Sequence, residues 1–469
     1  MLVSDTSHKP IEESPFTNRA FRKLFAAQII ALLGTGLASV ALALLAYDLA
    51  GGHAGVVLGQ ALAVKMFAYV IFAPLFGGIA HRFNRKRYLI SLDLLRAATV
   101  LAMPFVDEVW QIYLLIFLLN TFSAGFKPVY QSIIPELMPD ERTYTRALTY
   151  SRLAYDLENL LSPMLAGLAL LFFSYDTLFV ANAGAFVCSA FLILITLLPV
   201  YDTAERPGGV WHEISFGVRA YLKTPRLRAM LCIYFGVACA SAMIIVNTVV
   251  YVRNQLGGTE TDVALALAAS GAGSMIAALS MPKILGYVQD RTVMLLGSAL
   301  MAMGLISVTI NPGFRELLLI WFFIGLGWSL VQTPAGRVVN RSSNPSDRAS
   351  YFSAQFSLTH ACWMIAYPLA GQLGLSFGIS VTGLILGTMV VISGLLGAWL
   401  WPHTDPLELM HHHDEISHTH RHLHDDHHQH HQSGMPVEDN HEHRHPGITH
   451  SHEFVIDDHH PRWPDERPG

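Results

Sequence analysis

Histidines and carboxylates that could do chemistry gather in two places in this chain. Nineteen of its twenty-four histidines lie between positions 403 and 460. The candidate metal ligands among them are His411, His412, His413, His418, His420, His422, His424, His427, His428, His430, His431, His441, His443, His445, His450, His452, His459 and His460. Neutral imidazole is a borderline-soft nitrogen donor that suits nickel, zinc, iron and copper(II). The alternation at His418, His420, His422 and His424 lets a flexible chain bring several nitrogens around one ion. Only Met410 and Met435 add sulfur there, and no cysteine does, which argues against copper(I). Imidazoles must lose their protons to bind, so capture should weaken below about pH 6.

The second place lies inside long apolar runs. Asp156 and Glu158 sit in YDLENLLSP, with Glu158 about 18 Å along a helix from Arg146. His360 follows Arg348 by the same twelve residues, and Lys65 lies ten residues into another apolar run. A charge at mid-bilayer costs at least about 2.5–3.5 kcal/mol on insertion scales, so each needs a reason. Glu158 is read as a carboxylate for a metal ion or a proton, His360 as a nitrogen ligand and Lys65 as a counter-ion. Asp156 lies about 200° from Glu158 on an ideal helix. It either shares that role or is neutralised by Arg152 or Lys65. A lattice of structural ion pairs is the alternative reading of the same residues.

The elements that must hold these groups are membrane spans. The mean hydropathy is +0.39, with 52% apolar and 14% charged residues, against about 25% charged in soluble proteins. Runs long enough to cross about 30 Å of hydrocarbon fall near 25–48, 55–80, 88–106, 109–127, 146–173, 177–199, 228–252, 262–282, 292–311, 315–336, 349–376 and 378–400. Alternate loops carry the basic residues, including Arg82, Arg85, Lys86 and Arg87, then Lys127, Arg142 and Arg146. Arg206, Arg219, Lys223, Arg226 and Arg228 follow on the same side, with Arg337, Arg341 and Arg348 beyond them. The opposite loops offer Arg253 and Arg315. By the positive-inside rule both termini are expected in the cytoplasm. The basic excess is therefore topological and implies no nucleic-acid partner. Cys188, Cys232, Cys239 and Cys362 all lie in apolar runs, so no disulfide framework is indicated.

The fold class expected is all-α, with twelve transmembrane helices in two six-helix bundles. The divisions are a cytoplasmic N-terminal segment at 1–24, a first bundle at 25–200, a cytoplasmic linker at 201–227, a second bundle at 228–401 and a disordered tail at 402–469. The linker contains ISFGVRAYLKTPRLRAM, which has the pattern of an interfacial amphipathic helix. The tail holds fourteen Asp/Glu and four Arg and too little apolar surface for a core. Arg146-Ala147 and Arg348-Ala349 open corresponding spans, which later read Ser162 to Gly167 and Pro368 to Gly371. Such duplication is how secondary transporters build a site between two rocking halves.

The turn Gly77-Gly78-Ile79-Ala80-His81-Arg82-Phe83-Asn84-Arg85-Lys86-Arg87 resembles the signature loop of the major facilitator superfamily, followed here by Asp93 and Arg96. His81 stands where that family has Asp, and Asn84 where it has Gly. The resemblance makes Gly77, His81, Arg82, Arg85, Arg87, Asp93 and Arg96 a gating loop. The run from Phe126 to Pro139 and the segment Ala269 to Ser274 look like exporters related to the enterobactin effluxer. The histidine-loaded C-terminus resembles bacterial nickel-resistance exporters. What these resemblances imply is a monomer in the bacterial inner membrane that exports a divalent cation by proton antiport with alternating access. Nickel comes first, with cobalt, iron and zinc behind, and no cofactor is required. Lipid, protons and the metal ion are its partners, and the tail binds metal on the cytoplasmic side. The alternative is an exporter of siderophore or drug-like solutes with a metal-buffering tail. Enzymatic chemistry has no support, since neither a nucleotide-binding loop nor a nucleophile–base set is present.

Overall fold

The computed structural model describes residues 14–50, 54–199 and 209–402, and then 408–413, 416–420, 441–445, 448–456 and 463. The first half comprises α1 (Arg19–Ala50), α2 (Ala54–Ile79), α3 (Arg85–Leu101), α4 (Val109–Leu137), α5 (Glu141–Leu170) and α6 (Tyr175–Leu194). A connecting helix, α7 (Gly209–Lys223), leads to α8 (Pro225–Gln255), α9 (Glu260–Ile284), α10 (Asp290–Ser307), α11 (Phe314–Asn340) and α12 (Arg348–Leu400). Lipid cannot hydrogen-bond an exposed backbone, so each apolar run closes its own bonds as helix. Among the described residues, ten helices are long and apolar enough to cross a membrane. α5 is 30 residues long but carries Arg152, Asp156 and Glu158. α12 runs for 53 residues and breaks at Gly378, where φ is 76°. Only glycine adopts that backbone without strain, and the break falls between the runs expected at 349–376 and 378–400.

Polar residues set the helix starts. Asn84 accepts from Arg87 N at 3.2 Å to begin α3, and Asp140 accepts from Thr143 N at 2.8 Å to begin α5. Thr259 and Asp262 form a reciprocal cap on α9. α8 widens into π turns at Met243–Asn247 and Tyr251–Gln255. α7 occupies the linker, with Phe216 and Tyr221 buried and Trp211 exposed.

Within the first half α1 packs on α6, α3 on α6 and α2 on α4; within the second, α8 packs on α12 and α9 on α11. The halves meet through α2 against α12 and α5 against α9. Trp321, Tyr351 and Trp401 are buried in the core of the second half. Exposed Phe172, Leu375 and Trp399 face outward, as side chains solvated by lipid do.

The tail departs from the expected structureless chain. Four short strands are described: β1 (Glu408–His413), β2 (Ile416–His420), β3 (His441–His445) and β4 (Ile448–Glu453). β1 pairs with β4 and β2 with β3, both antiparallel. Beyond β4, Phe454, Val455 and Ile456 are buried. Backbone pairing satisfies the peptide groups without the apolar core that the composition lacks, and Phe454 and Ile456 join the core of the second half.

Candidate transport site and gate

Asp156 and Glu158 point to different neighbours, as their angular offset requires. Asp156 is buried and turned toward the second half: Arg152 Nη2 lies 2.8 Å from Oδ1, and Ser274 Oγ donates to Oδ2 at 2.8 Å. Arg152 also donates to Gln332 Oε1 at 2.7 Å and lies over the Trp328 ring. The Asp156 carboxylate is thus neutralised, and its network ties α5 to α9 and α11.

Glu158 faces the first half. A Cβ on Gly36 of α1 would lie 3.5 Å from its Cγ, and the cations within electrostatic reach are Lys127 and Lys65. The same two lysines act on His360. Lys127 Nζ donates to the Tyr69 hydroxyl at 3.2 Å, and both Lys65 and Lys127 lie over the Tyr69 ring. His360 stands edge-on to that ring at 4.8 Å between centroids. Its Nδ1 lies 2.6 Å from the Phe356 carbonyl oxygen. A carbonyl only accepts, so Nδ1 is the donor of that bond. Phe356 and Trp363 complete an aromatic wall around the imidazole. Glu158 and His360 therefore share one neighbourhood, with Tyr69 and two ammonium groups in it.

Lys127 corrects the sequence reading, which placed it in a loop. α4 continues to Leu137 through Pro128 and Pro135, because neighbouring helices make prolines tolerable inside a membrane helix. A lone lysine followed by proline inside an apolar stretch was the signal that could have found it. Tyr69 carried no such signal. No group of three or more His, Cys, Asp or Glu able to hold a metal ion occurs among the described residues. The side chains of the candidate ligands in β1 to β4 lie outside that description. His422, His424, His427, His428, His430, His431, His459 and His460 lie outside the described residues altogether.

The gating loop also divides differently from expectation. Asp93 and Arg96 are buried and bonded to each other within α3, not to the loop. Ser189 of α6 donates to Asp93 Oδ2 at 2.8 Å, and Arg96 lies over Phe126 and Phe186. Arg85 instead donates to both oxygens of Glu136 at 2.8 Å. Arg348 of α12 reaches the same carboxylate at 3.8 Å, so Glu136 joins the halves. A second junction runs from Asp290 through Arg337, at 3.5 Å, to Glu141 and to Thr145 Oγ1, the last at 3.0 Å. Nothing in the spacing of Glu136, Glu141 and Asp290 singled them out. Gly77 lies against α12, where an added Cβ would come within 2.0 Å of Ser353 Oγ. Arg82 and Arg87 are exposed, and the side chain of His81 is outside the described residues. The end of the molecule that carries the basic loops is thus closed.

Residues 12–398 match the family described as transmembrane secretion effector. The MFS-type transporter YfiS of Bacillus subtilis is 26% identical over 402 residues, covering 82% of this chain and 94% of that protein. Macrolide efflux protein A of Streptococcus pyogenes is 22% identical over 393 residues, covering 79% of this chain and 93% of that protein. In structure the chain resembles the human organic anion transporter MFSD10 (TM-score 0.70, 12% identity, 81% of this chain and 99% of that one). It also resembles a bacterial homologue of the iron transporter ferroportin in an outward-facing state (TM-score 0.67, 12% identity, 81% and 99%). Family and fold are those of transport proteins and not of enzymes. The chain is a multi-pass membrane transport protein and belongs to the transmembrane secretion effector family of the major facilitator superfamily.

Proposed function

We propose that this protein exports an oxygen-rich organic solute, of siderophore or drug-like type, by proton-coupled alternating access. One observation carries the reading: the interior site sets two ammonium groups, Lys65 and Lys127, beside one carboxylate and one imidazole. A bare divalent cation entering there meets two like charges, which costs several kcal/mol of repulsion in a low-dielectric interior. An organic solute uses the same set without conflict. Its oxygens accept from Lys65, Lys127 and the Tyr69 hydroxyl, its apolar part lies on Phe356 and Trp363, and a solute donor meets the ionised Glu158. A proton arriving at Glu158 turns that charged acceptor into a neutral carboxyl, which weakens its hold and releases the solute in exchange for the proton, which is antiport. The relative named for macrolide efflux supports an organic cargo.

In this reading α5 and the two parts of α12 each cross the bilayer, giving twelve crossings in two bundles at 25–200 and 228–401. The closed basic end faces the cytoplasm of a bacterial inner membrane, and the protein works as a monomer. The histidine-rich tail favours a second reading, export of nickel or another divalent ion in exchange for protons.

Inverted vesicles with a pH gradient separate the two. Uptake of a macrolide, a siderophore and a fluorescent dye is compared with uptake of nickel, cobalt, zinc and iron. The samples are the full chain, a chain ending at Pro402, and Glu158→Gln. Gradient-driven organic uptake, lost in Glu158→Gln and retained on truncation, supports the proposal. Gradient-driven metal uptake with no organic uptake overturns it.

A further inference from the structure

The interior site carries more positive charge than it offsets by itself. Two ion pairs near it are closed units: Arg152 with Asp156, and Arg96 with Asp93, each joined within its own helix. They contribute no net charge. That leaves Lys65 of α2, Lys127 of α4 and Glu158 of α5, with His360 of α12 beside them. With both lysines charged, two ammonium groups stand against one carboxylate. A proton on Glu158 or a second one on His360 only adds to the positive side. The set is therefore cationic, by at least one charge, in each protonation state of Glu158 and His360. An interior charge without its offset is expensive where the dielectric constant is low, so a ligand that brings the missing negative charge binds best.

The donors are placed for such a ligand. Lys127 gives one N–H to the Tyr69 hydroxyl at 3.2 Å, and an ammonium has three. Tyr69 accepts in that bond, so its own O–H remains to donate. Two donors 3.2 Å apart suit one carboxylate, whose paired oxygens accept from both. Lys65 and Lys127 lie 5.8 and 5.2 Å from the centre of the Tyr69 ring. Among the described residues, neither lysine has a carboxylate within ion-pair distance. Lys65, Lys127, Glu158 and His360 are each half-buried, as ionisable side chains that line a water-filled cavity in a membrane protein are. The wall beside them is carbon. The Phe356 and Trp363 rings lie 4.1 and 5.2 Å from the imidazole, and Trp363 spends its only N–H on Ser241 Oγ at 2.7 Å.

We infer that the cargo is an organic acid: its carboxylate, or an equally acidic oxygen, sits on Lys127 and the Tyr69 hydroxyl within the field of Lys65, and its ring lies against Phe356 and Trp363. The inference rests on the export reading for where the cargo sits, and it adds the charge that the cargo carries. A neutral solute leaves the excess positive charge without an offset, and a cationic one increases it.

The test reads binding without a gradient. The purified full chain in detergent is titrated calorimetrically, near neutral pH, with three ligands of one shape: 2-naphthoate, 2-naphthamide and 2-naphthylmethylammonium. The acid should bind at least tenfold more tightly than the amide, and the cation most weakly. Lys127→Met and Lys65→Met should each cut that preference severalfold, whereas Lys127→Arg should keep most of it. Glu158→Gln should tighten the acid, because it removes a carboxylate that repels it. Melting curves show that each variant is folded, and the order of the three ligands in the parent chain depends on no variant. An acid that binds no better than its amide overturns the inference, as does a preference unchanged in both Lys→Met variants. Should the acid be preferred while no organic solute follows a pH gradient into inverted vesicles, the export reading fails and the ligand class stands. Gradient-driven uptake of a neutral or cationic solute, with no preference for the acid, fails the ligand class and leaves the export reading in place.

Discussion

Asp156 and Glu158 differ by two positions and by almost everything else. Asp156 has a cation and a hydroxyl bonded to it, whereas Glu158 has two lysines within reach and a site that also contains His360. Glu158→Gln should therefore remove gradient-driven transport while leaving thermal stability close to the parent, checked by vesicle uptake beside a melting curve. Asp156→Ala should do the reverse of sparing the fold. It leaves Arg152 half-buried without its carboxylate, and breaking a buried pair costs about 3–5 kcal/mol, read as a lower melting temperature in detergent. Of this site, Glu158, His360 and Lys65 were legible in the sequence because a charge or imidazole in an apolar run demands a reason. Lys127 was not, because the Lys-Pro step reads as a helix exit until α2 and α12 pack around it.

At the scale of elements, caps and close approaches decide how the helices end and meet. Hydrogen bonds from the Thr143 backbone and side chain hold the Asp140 carboxyl below its ordinary value of 3.8. The sign follows: the contribution of this cap is fully present above the ordinary carboxylate value and is lost as pH falls through the lowered one. Asp140→Asn should keep a capping oxygen and lose that acid dependence, whereas Asp140→Ala should cost about 1 kcal/mol at neutral pH. Both are measured by melting at a series of pH values. α2 meets α12 because Gly77 has no side chain. Gly77→Val should prop the basic end open, seen as faster maleimide labelling of Ser353→Cys in inverted vesicles. Unchanged labelling would show that α12 can shift aside.

For the whole molecule, the halves are held at the basic end by Glu136, shared between Arg85 of the first half and Arg348 of the second, and by Glu141 of the first half paired with Arg337 of the second. Glu136→Gln removes a carboxylate that Arg85 and Arg348 share and leaves two like charges near each other. The population should move toward an open basic end, with faster Ser353→Cys labelling and weaker protection by salt-free buffer than in the parent. Hydropathy and the distribution of lysine and arginine determined by themselves that the chain enters a bilayer many times as helices, since lipid leaves an apolar run no other way to satisfy its backbone. The residue types themselves determined that a histidine-rich segment follows the last apolar run. Only the tertiary structure decided which way each interior charge turns, because a helix's rotation is set by neighbours more than a hundred residues away. The same holds for the tail: alternation of histidine is local, but strand register, and the burial of Phe454–Ile456 beside Tyr351, depend on a returning chain that composition does not encode.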